Sequence, residues 1–394
     1  MSTSLLAPPH ETASKVGLWY TRCPVPTSFG LALQLGFLNE EFADDATADF
    51  RALQQSTDLK VHQSHFTHTQ KNSFRHGGNY PAIYAQSTGA NTRVIGLSWV
   101  HGPQTILALP GSGIKTAADL KGKRLLVHRR PKEDIDFSYA TEIRTYEAGL
   151  ASVGLSLKDV HLVEHVIDRT YVGDRRGILQ PGGPLIPLGA GRARIDELVY
   201  PLIRGEVDAI AGGSIGVASE RLHDLFGFDV VFDAFNLPDQ FERYNNSTPL
   251  TFAVNEELID EHPELVARVY ARVLEAEQWA QDNREDTVRF VAREQSAAER
   301  LVESAYGEHL IAGLHTDLDP VKIKGLTSSK NFLLKHGLIK NDFDVEKWVD
   351  PRPLAAARHL LAKRRASGEL SAPQSGTSRK PSGVAASSGC SIRQ

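Results

Sequence analysis

Short apolar runs of strand length alternate with stretches of helical spacing along most of this 394-residue chain. That alternation constrains the fold more than any single motif does. Residues 16–20, 92–100, 104–109, 125–128, 160–166, 207–213, 229–232 and 250–254 read as strands, punctuated by glycine, proline and polar residues. Helical spacing covers 28–38, 141–153, 194–205, 264–282, 284–294 and 331–336, with Ile143, Ala148, Leu150 and Val153 as core candidates in the second of these. Strands separated by helices call for an α/β architecture. The chain makes an excursion near residue 105, and the polar, Pro/Asn-rich stretch 233–250 reads as its return. Two α/β lobes joined by two crossings follow: lobe I from 15–104 and 236–365, lobe II from 105–235. Residues 1–14 read as a loose arm, 40–55 as a polar interval, 58–68 as strand and loop, and 170–191 as a long mobile loop. The Ser/Gly/Lys/Pro-rich stretch 366–394 reads as disordered.

Composition narrows the class. Hydrophobic residues at 41% suffice for a core, and a net charge of -4 with a pI near 6.4 gives no case for nucleic acid. No apolar run approaches the ~18 residues of a membrane span. The opening MSTSLLAPPHET lacks the basic start and apolar core of a secretory signal. Cys23 and Cys390 alone argue against a disulfide framework. The expectation is a cytoplasmic, monomeric protein with no nucleic-acid or membrane partner and with Cys23 kept reduced. Cys390 stands fifth from the end, outside a prenylation box, and receives no role.

The chemistry concentrates between Trp19 and Gly78. Cys23 sits in Trp19-Tyr20-Thr21-Arg22-Cys23-Pro24-Val25-Pro26, where two prolines forbid regular structure before a helix that Thr27 or Ser28 can cap. A thiol ahead of a helix N-terminus is favoured as thiolate, the reactive form; a small buried hydrophobe is the competing reading. His62, His65 and His68 invite a metal, but no acidic or thiol ligand with zinc-like spacing accompanies them. One of them serves better as an acid–base group near Cys23. In Phe74-Arg75-His76-Gly77-Gly78-Asn79-Tyr80-Pro81 the paired glycines let backbone N–H groups approach a ligand, and the Arg75 guanidinium matches two acidic oxygens. An ordinary surface arginine before a turn is the alternative there. Pro81 opens a helix to Ser87. Pro110-Gly111-Ser112-Gly113-Ile114-Lys115-Thr116 lacks P-loop spacing and reads as a turn, and the basic residues 121–132 as a solvated face.

Two stretches, Ala118-Asp119-Leu120-Lys121-Gly122-Lys123-Arg124-Leu125 and Leu202-Ile203-Arg204-Gly205-Glu206-Val207-Asp208-Ala209, resemble the signatures of bilobal solute-binding proteins of the sulfonate/nitrate/thiamine-precursor type. The resemblance implies a periplasmic-binding-protein-like (type II) fold for most of 16–350. Tyr20-Thr21-Arg22-Cys23-Pro24-Val25-Pro26, His65-Phe66-Thr67 and Arg75-His76-Gly77-Gly78 resemble, in order and spacing, the active-site segments of the 2'-hydroxybiphenyl-2-sulfinate desulfinases. That narrower resemblance implies an arylsulfinate substrate, release of sulfite, no cofactor, Cys23 and His65 as catalytic residues, and Arg75, Gly78 and Gln70 as substrate-binding residues. Thr69 stands where that family tends to carry an acid, His76 replaces an aromatic, and 129–192, expected on the aryl side of the cleft, matches poorly. A plain binding protein for a sulfonate-like or heteroaromatic anion is the competing function.

Overall fold

A computed structural model describes residues 15–174, 188–213 and 216–369. Among the described residues, eleven strands form two sheets. The first contains β1 (Val16–Thr21), β2 (Ala48–Ala52), β3 (Ser73–Gly77), β4 (Thr92–Ser98), β10 (Leu250–Asn255) and β11 (Thr316–Asp317), in the order β11-β4-β10-β3-β1-β2. The second is ordered β7-β6-β8-β5-β9, from β5 (Thr105–Ala108), β6 (Arg124–Arg129), β7 (His161–Val166), β8 (Ala209–Ala211) and β9 (Asp229–Asp233). Each sheet mixes parallel pairs with an antiparallel strand from the far side of a crossing: β10 runs against β3 and β4, and β5 against β8 and β9. With β11 also antiparallel to β4, the topology is the expected α/β arrangement of two sheet-centred lobes.

The strand and helix patterns correspond to real elements, with instructive differences. The 28–38 helix is cut in two, α1 (Ser28–Gln34) and α2 (Phe37–Phe42), because Gly36 adopts a left-handed φ of 82°. The polar interval contains β2, which pairs in parallel with β1. Residues expected as strand and loop form instead α3 (Leu59–Thr67), capped by Asp58, whose carboxylate accepts from Lys60 N at 2.8 Å. The next helix, α4 (Asn79–Ser87), starts before the expected Pro81. Val153 lies past the end of α5 (Phe137–Ala151) and is exposed rather than buried. Helix Leu188–Ile203 begins ahead of residue 194, and Pro320–Lys335 begins well ahead of 331. Residues 175–187 of the expected loop, the arm 1–14, and the tail from 370, with Cys390, lie outside the described residues.

The first lobe's core is built on helix Pro263–Asp282, whose Leu265, Val266, Val269, Tyr270 and Val273 bury a stripe at helical spacing against Leu18, Phe29 and Phe252. A second buried cluster runs from Tyr80 of α4 and Val94 and Leu97 of the first sheet to Ile106, Leu125 and Tyr146 around the second. No helix among the described residues is long and apolar enough to cross a membrane.

Candidate active site

Cys23 lies just past the end of β1, in a turn where Val25 N donates to Cys23 O at 2.8 Å. Neighbouring polar groups pin that turn. Gln54 Nε2 donates to Arg22 O at 3.2 Å, and the Arg22 guanidinium pairs with the buried Glu294 carboxylate at 2.6 Å. Glu294 also accepts from Gln34 at 2.7 Å. Arg22 is therefore committed to Glu294 as a structural strut. The Cys23 thiol is half-buried and packs on an apolar cluster that includes Val25, Val288 and Val291. The helix beyond, α1, has seven residues, and its Thr27 cap accepts from Gly30 N at 2.9 Å. The charged group that tertiary structure brings to the sulfur is a side chain, Arg75.

Arg75 projects from β3 on the same face as Gly77. A Cβ built on Gly77 would stand 2.8 Å from Cys23 Sγ and 3.5 Å from Arg75 Cζ. Sulfur and guanidinium therefore meet across a position that only glycine fits. Arg75 is 4% exposed and held by two backbone carbonyls: its Nε donates to His65 O at 3.0 Å and its Nη1 to Gly78 O at 2.7 Å. His65 O belongs to the last turn of α3, where carbonyls lack helical partners and favour a cation. Gly78 precedes the first turn of α4, and a Cβ there would strike Asn246 Oδ1 at 2.7 Å. Asn246 caps that helix from the return crossing: its carbonyl accepts from Asn79 N at 2.8 Å and its Oδ1 from Tyr80 N at 3.0 Å. The paired glycines let Cys23 and the Asn246 side chain come close to the backbone.

His65, buried in α3, joins the same cluster through Thr21 on β1, with 2.5 Å between Thr21 Oγ1 and His65 Nδ1. The structure thus gathers Cys23, His65, Arg75 and Gly78. Gln70 makes local contacts: its amide N donates to Ser64 Oγ at 2.7 Å and its side-chain Nε2 faces Lys71 O at 3.4 Å. The other two histidines take separate duties. His62 Nε2 lies 2.6 Å from Ser56 O, while His68, at φ 54°, ends α3. No group of three His, Cys, Asp or Glu side chains among the described residues could hold a metal ion. Thr21, Gln54, Glu294 and Asn246 are the supports that sequence reading missed. The run Asn245-Asn246-Ser247-Thr248-Pro249 was the one signal, too polar for a bare crossing.

Burial lowers the proton affinity of the Arg75 guanidinium, and the neighbouring Cys23 opposes that shift. Burial, with Arg75 nearby, holds His68 well below the usual imidazole range. His76, which points to the opposite face of β3, is pushed down to about 3 by burial, then by Arg75 and Lys322. Beside the Cys23 turn, a small hollow opens between the lobes, lined by Val25, Pro26, Thr141, Gly213, Asn245 and Tyr306. A site of this make-up, one cation buried beside a thiol with an imidazole attached, suits a small anion whose neighbouring atom exchanges a proton or takes a nucleophile.

Comparison with known proteins agrees with this geometry. No family model matches the chain. Over 350 residues, 86% of this chain and 93% of theirs, it is 23% identical to the 2'-hydroxybiphenyl-2-sulfinate desulfinases of Rhodococcus erythropolis and Rhodococcus qingshengii. The crystal structure of a cysteine-to-serine mutant of DszB in complex with biphenyl-2-sulfinic acid superposes with a TM-score of 0.69 at 22% identity, covering 88% of this chain and 100% of that one. The periplasmic aliphatic sulphonate binding protein SsuA from Escherichia coli gives a TM-score of 0.59 at 14% identity, covering 86% of this chain and 92% of that one. The architecture is therefore the bilobal type II binding-protein fold.

Proposed function

We propose that this chain is a distant member of the 2'-hydroxybiphenyl-2-sulfinate desulfinase family: an arylsulfinate desulfinase, a hydrolase that splits an aryl carbon–sulfur bond with water to give the arene and sulfite. The observation that carries this reading is the meeting of Cys23 Sγ and the buried Arg75 guanidinium at Gly77. A sulfinate presents two oxygens to one cation. Arg75, anchored by the His65 and Gly78 carbonyls, keeps further N–H donors for those oxygens, and the Gly78 N–H completes the clamp. Cys23 then acts as a nucleophile on sulfur: the new S–S bond forms as the aryl carbon–sulfur bond breaks and the ring carbon takes a proton, and water resolves the thiosulfonate-like intermediate to the free thiol and sulfite. Alternatively, it acts as an acid toward the ring carbon while sulfur departs. His65 partners it in either route, and neither needs a metal or organic cofactor. The substrate is 2'-hydroxybiphenyl-2-sulfinate or a close relative, and the enzyme works in the cytoplasm as a monomer. Closure of the lobes would exclude water from the clamp and strengthen it.

The test is incubation with 2'-hydroxybiphenyl-2-sulfinate, following sulfite and fluorescent 2-hydroxybiphenyl. Both should accumulate in equal amounts, and Arg75→Ala should raise KM steeply; an unchanged affinity would remove Arg75 from the clamp. The likeness to a sulphonate binding protein favours one other reading, capture without chemistry. Thermal stabilisation by the sulfinate with no product would establish that reading and end the desulfinase proposal.

A further inference from the structure

We propose that Thr21 and Gln54 are positioning residues that hold neutral His65 with its proton on Nε2, making His65 a donor in the site rather than the base that takes the Cys23 proton. The chemical use of that proton rests on the desulfinase reading; the tautomer does not.

The assignment follows from counting donors along a buried line of three side chains. Gln54 Nε2 lies 3.2 Å from Arg22 O and 3.0 Å from Thr21 Oγ1. A carbonyl only accepts, so the amide edge facing Arg22 must be the NH2, and its second hydrogen goes to Thr21. Flipping the amide would set acceptor against acceptor at Arg22. The chosen orientation leaves Gln54 Oε1 buried without a partner, a cost that marks this amide as fixed by its donors. Thr21 is 1% exposed, and its hydroxyl has one hydrogen to give. With Gln54 donating to it, the acceptor within reach among the described residues is His65 Nδ1. A nitrogen that accepts from Thr21 carries no hydrogen, so the neutral ring carries it on Nε2.

The consequence is chemical. A base for the thiol needs an open lone pair; here one ring nitrogen is occupied by Thr21 and the other already bears a proton. His65 therefore presents a hydrogen on Nε2 rather than a lone pair.

The full-length protein, 15N-labelled, allows a direct test by long-range 1H–15N spectra of the histidine rings, with His65 identified among 15 histidines by its loss in His65→Gln. At neutral pH the His65 signals should show a bare Nδ1 and a protonated Nε2. Thr21→Val should abolish that preference and lower kcat about tenfold or more while KM stays within about twofold. Thr21→Ser should retain both tautomer and rate. Gln54→Leu should leave the hydroxyl unoriented and give a mixture of tautomers. A wild-type ring protonated on Nδ1 would overturn the proposal, as would Thr21→Val with the wild-type tautomer and kcat. Should Thr21→Val fail to fold, the wild-type and Thr21→Ser spectra decide. If arylsulfinates are not turned over, the spectra still read the tautomer, and only the desulfinase reading falls.

Discussion

Two glycines in succession carry much of the site's geometry, and neither is there for a turn. Gly77 stands where any Cβ would collide with the Cys23 sulfur at 2.8 Å. Gly77→Ala should therefore displace the thiol from Arg75 and suppress sulfite release while far-UV circular dichroism stays that of the parent; full activity would mean the contact is dispensable. Cys23→Ser should bind the sulfinate and not turn it over, measured by calorimetry beside the sulfite assay. Neighbouring His76 makes a different case. It is 1% exposed, stacks on Phe252 at 5.2 Å, places Nε2 3.1 Å from Ser98 Oγ and leaves Nδ1 unpartnered. Its folded pKa of about 3 lies below the 6.5 of a free imidazole, so the unfolded chain binds a proton that the native state refuses. Stability from this residue is thus present above pH ~6.5 and drains away as pH falls toward ~3. His76→Phe should be close to neutral at pH 7 and more stable than the parent at pH 4 in thermal unfolding. Parallel losses in both proteins would refute the assignment.

At the scale of elements, α3 and α4 are held by groups distant in sequence. The α3 segment reads poorly as a helix because its apolar residues do not form a stripe: Leu59 is 68% exposed, while Ser64 and His65 are buried. Its ends decide the matter, with Asp58 at the first turn and the Arg75 guanidinium on the His65 carbonyl at the last. For α4 the cap comes from the return crossing. Asn79 Nδ2 donates to Asn245 O and Pro249 O, both at 2.7 Å, as Asn246 receives the first amides. Asn246→Ala should cost about 0.5–2 kcal/mol in urea unfolding. It should also raise KM, since Gly78, which fixes Arg75, is seated against Asn246. A change in stability with KM untouched would uncouple the cap from the clamp.

Across the whole molecule, a charge cluster ties late chain to early chain. Arg268, Arg272 and Arg364 all meet the Glu41 carboxylate, joining helices Pro263–Asp282 and Arg352–Ala366 to α2. Burial would raise the Glu41 pKa, but hydrogen bonds from Arg364, Arg268 and Arg272 prevail and hold it at about 2. A depressed carboxylate contributes stability that is complete above pH ~4.5 and lost as pH falls toward ~2. Glu41→Gln should destabilise by about 1–3 kcal/mol at pH 7, the partly exposed arginines softening the cost, and should flatten the acid limb. An unchanged midpoint at pH 7 would show that the cluster is solvated rather than structural.

Most strand patterns, the Pro263 interruption and the candidate residues Cys23, His65, Arg75 and Gly78 could be read before any coordinates, because local periodicity and backbone restriction are written into neighbouring residues; the break at Gly36 could not. Nor could β2 and α3, since each is held by partners elsewhere in the chain. The same division runs through the site. Sequence alone determined that a thiol, an imidazole and a guanidinium would be available on one α/β lobe. Only tertiary structure decided that the guanidinium rests on the His65 and Gly78 carbonyls and that the sulfur lies against Gly77. Hydrogen bonds and close contacts depend on distances of a few ångströms between segments tens to hundreds of residues apart, and one-dimensional order does not encode those distances until packing fixes them.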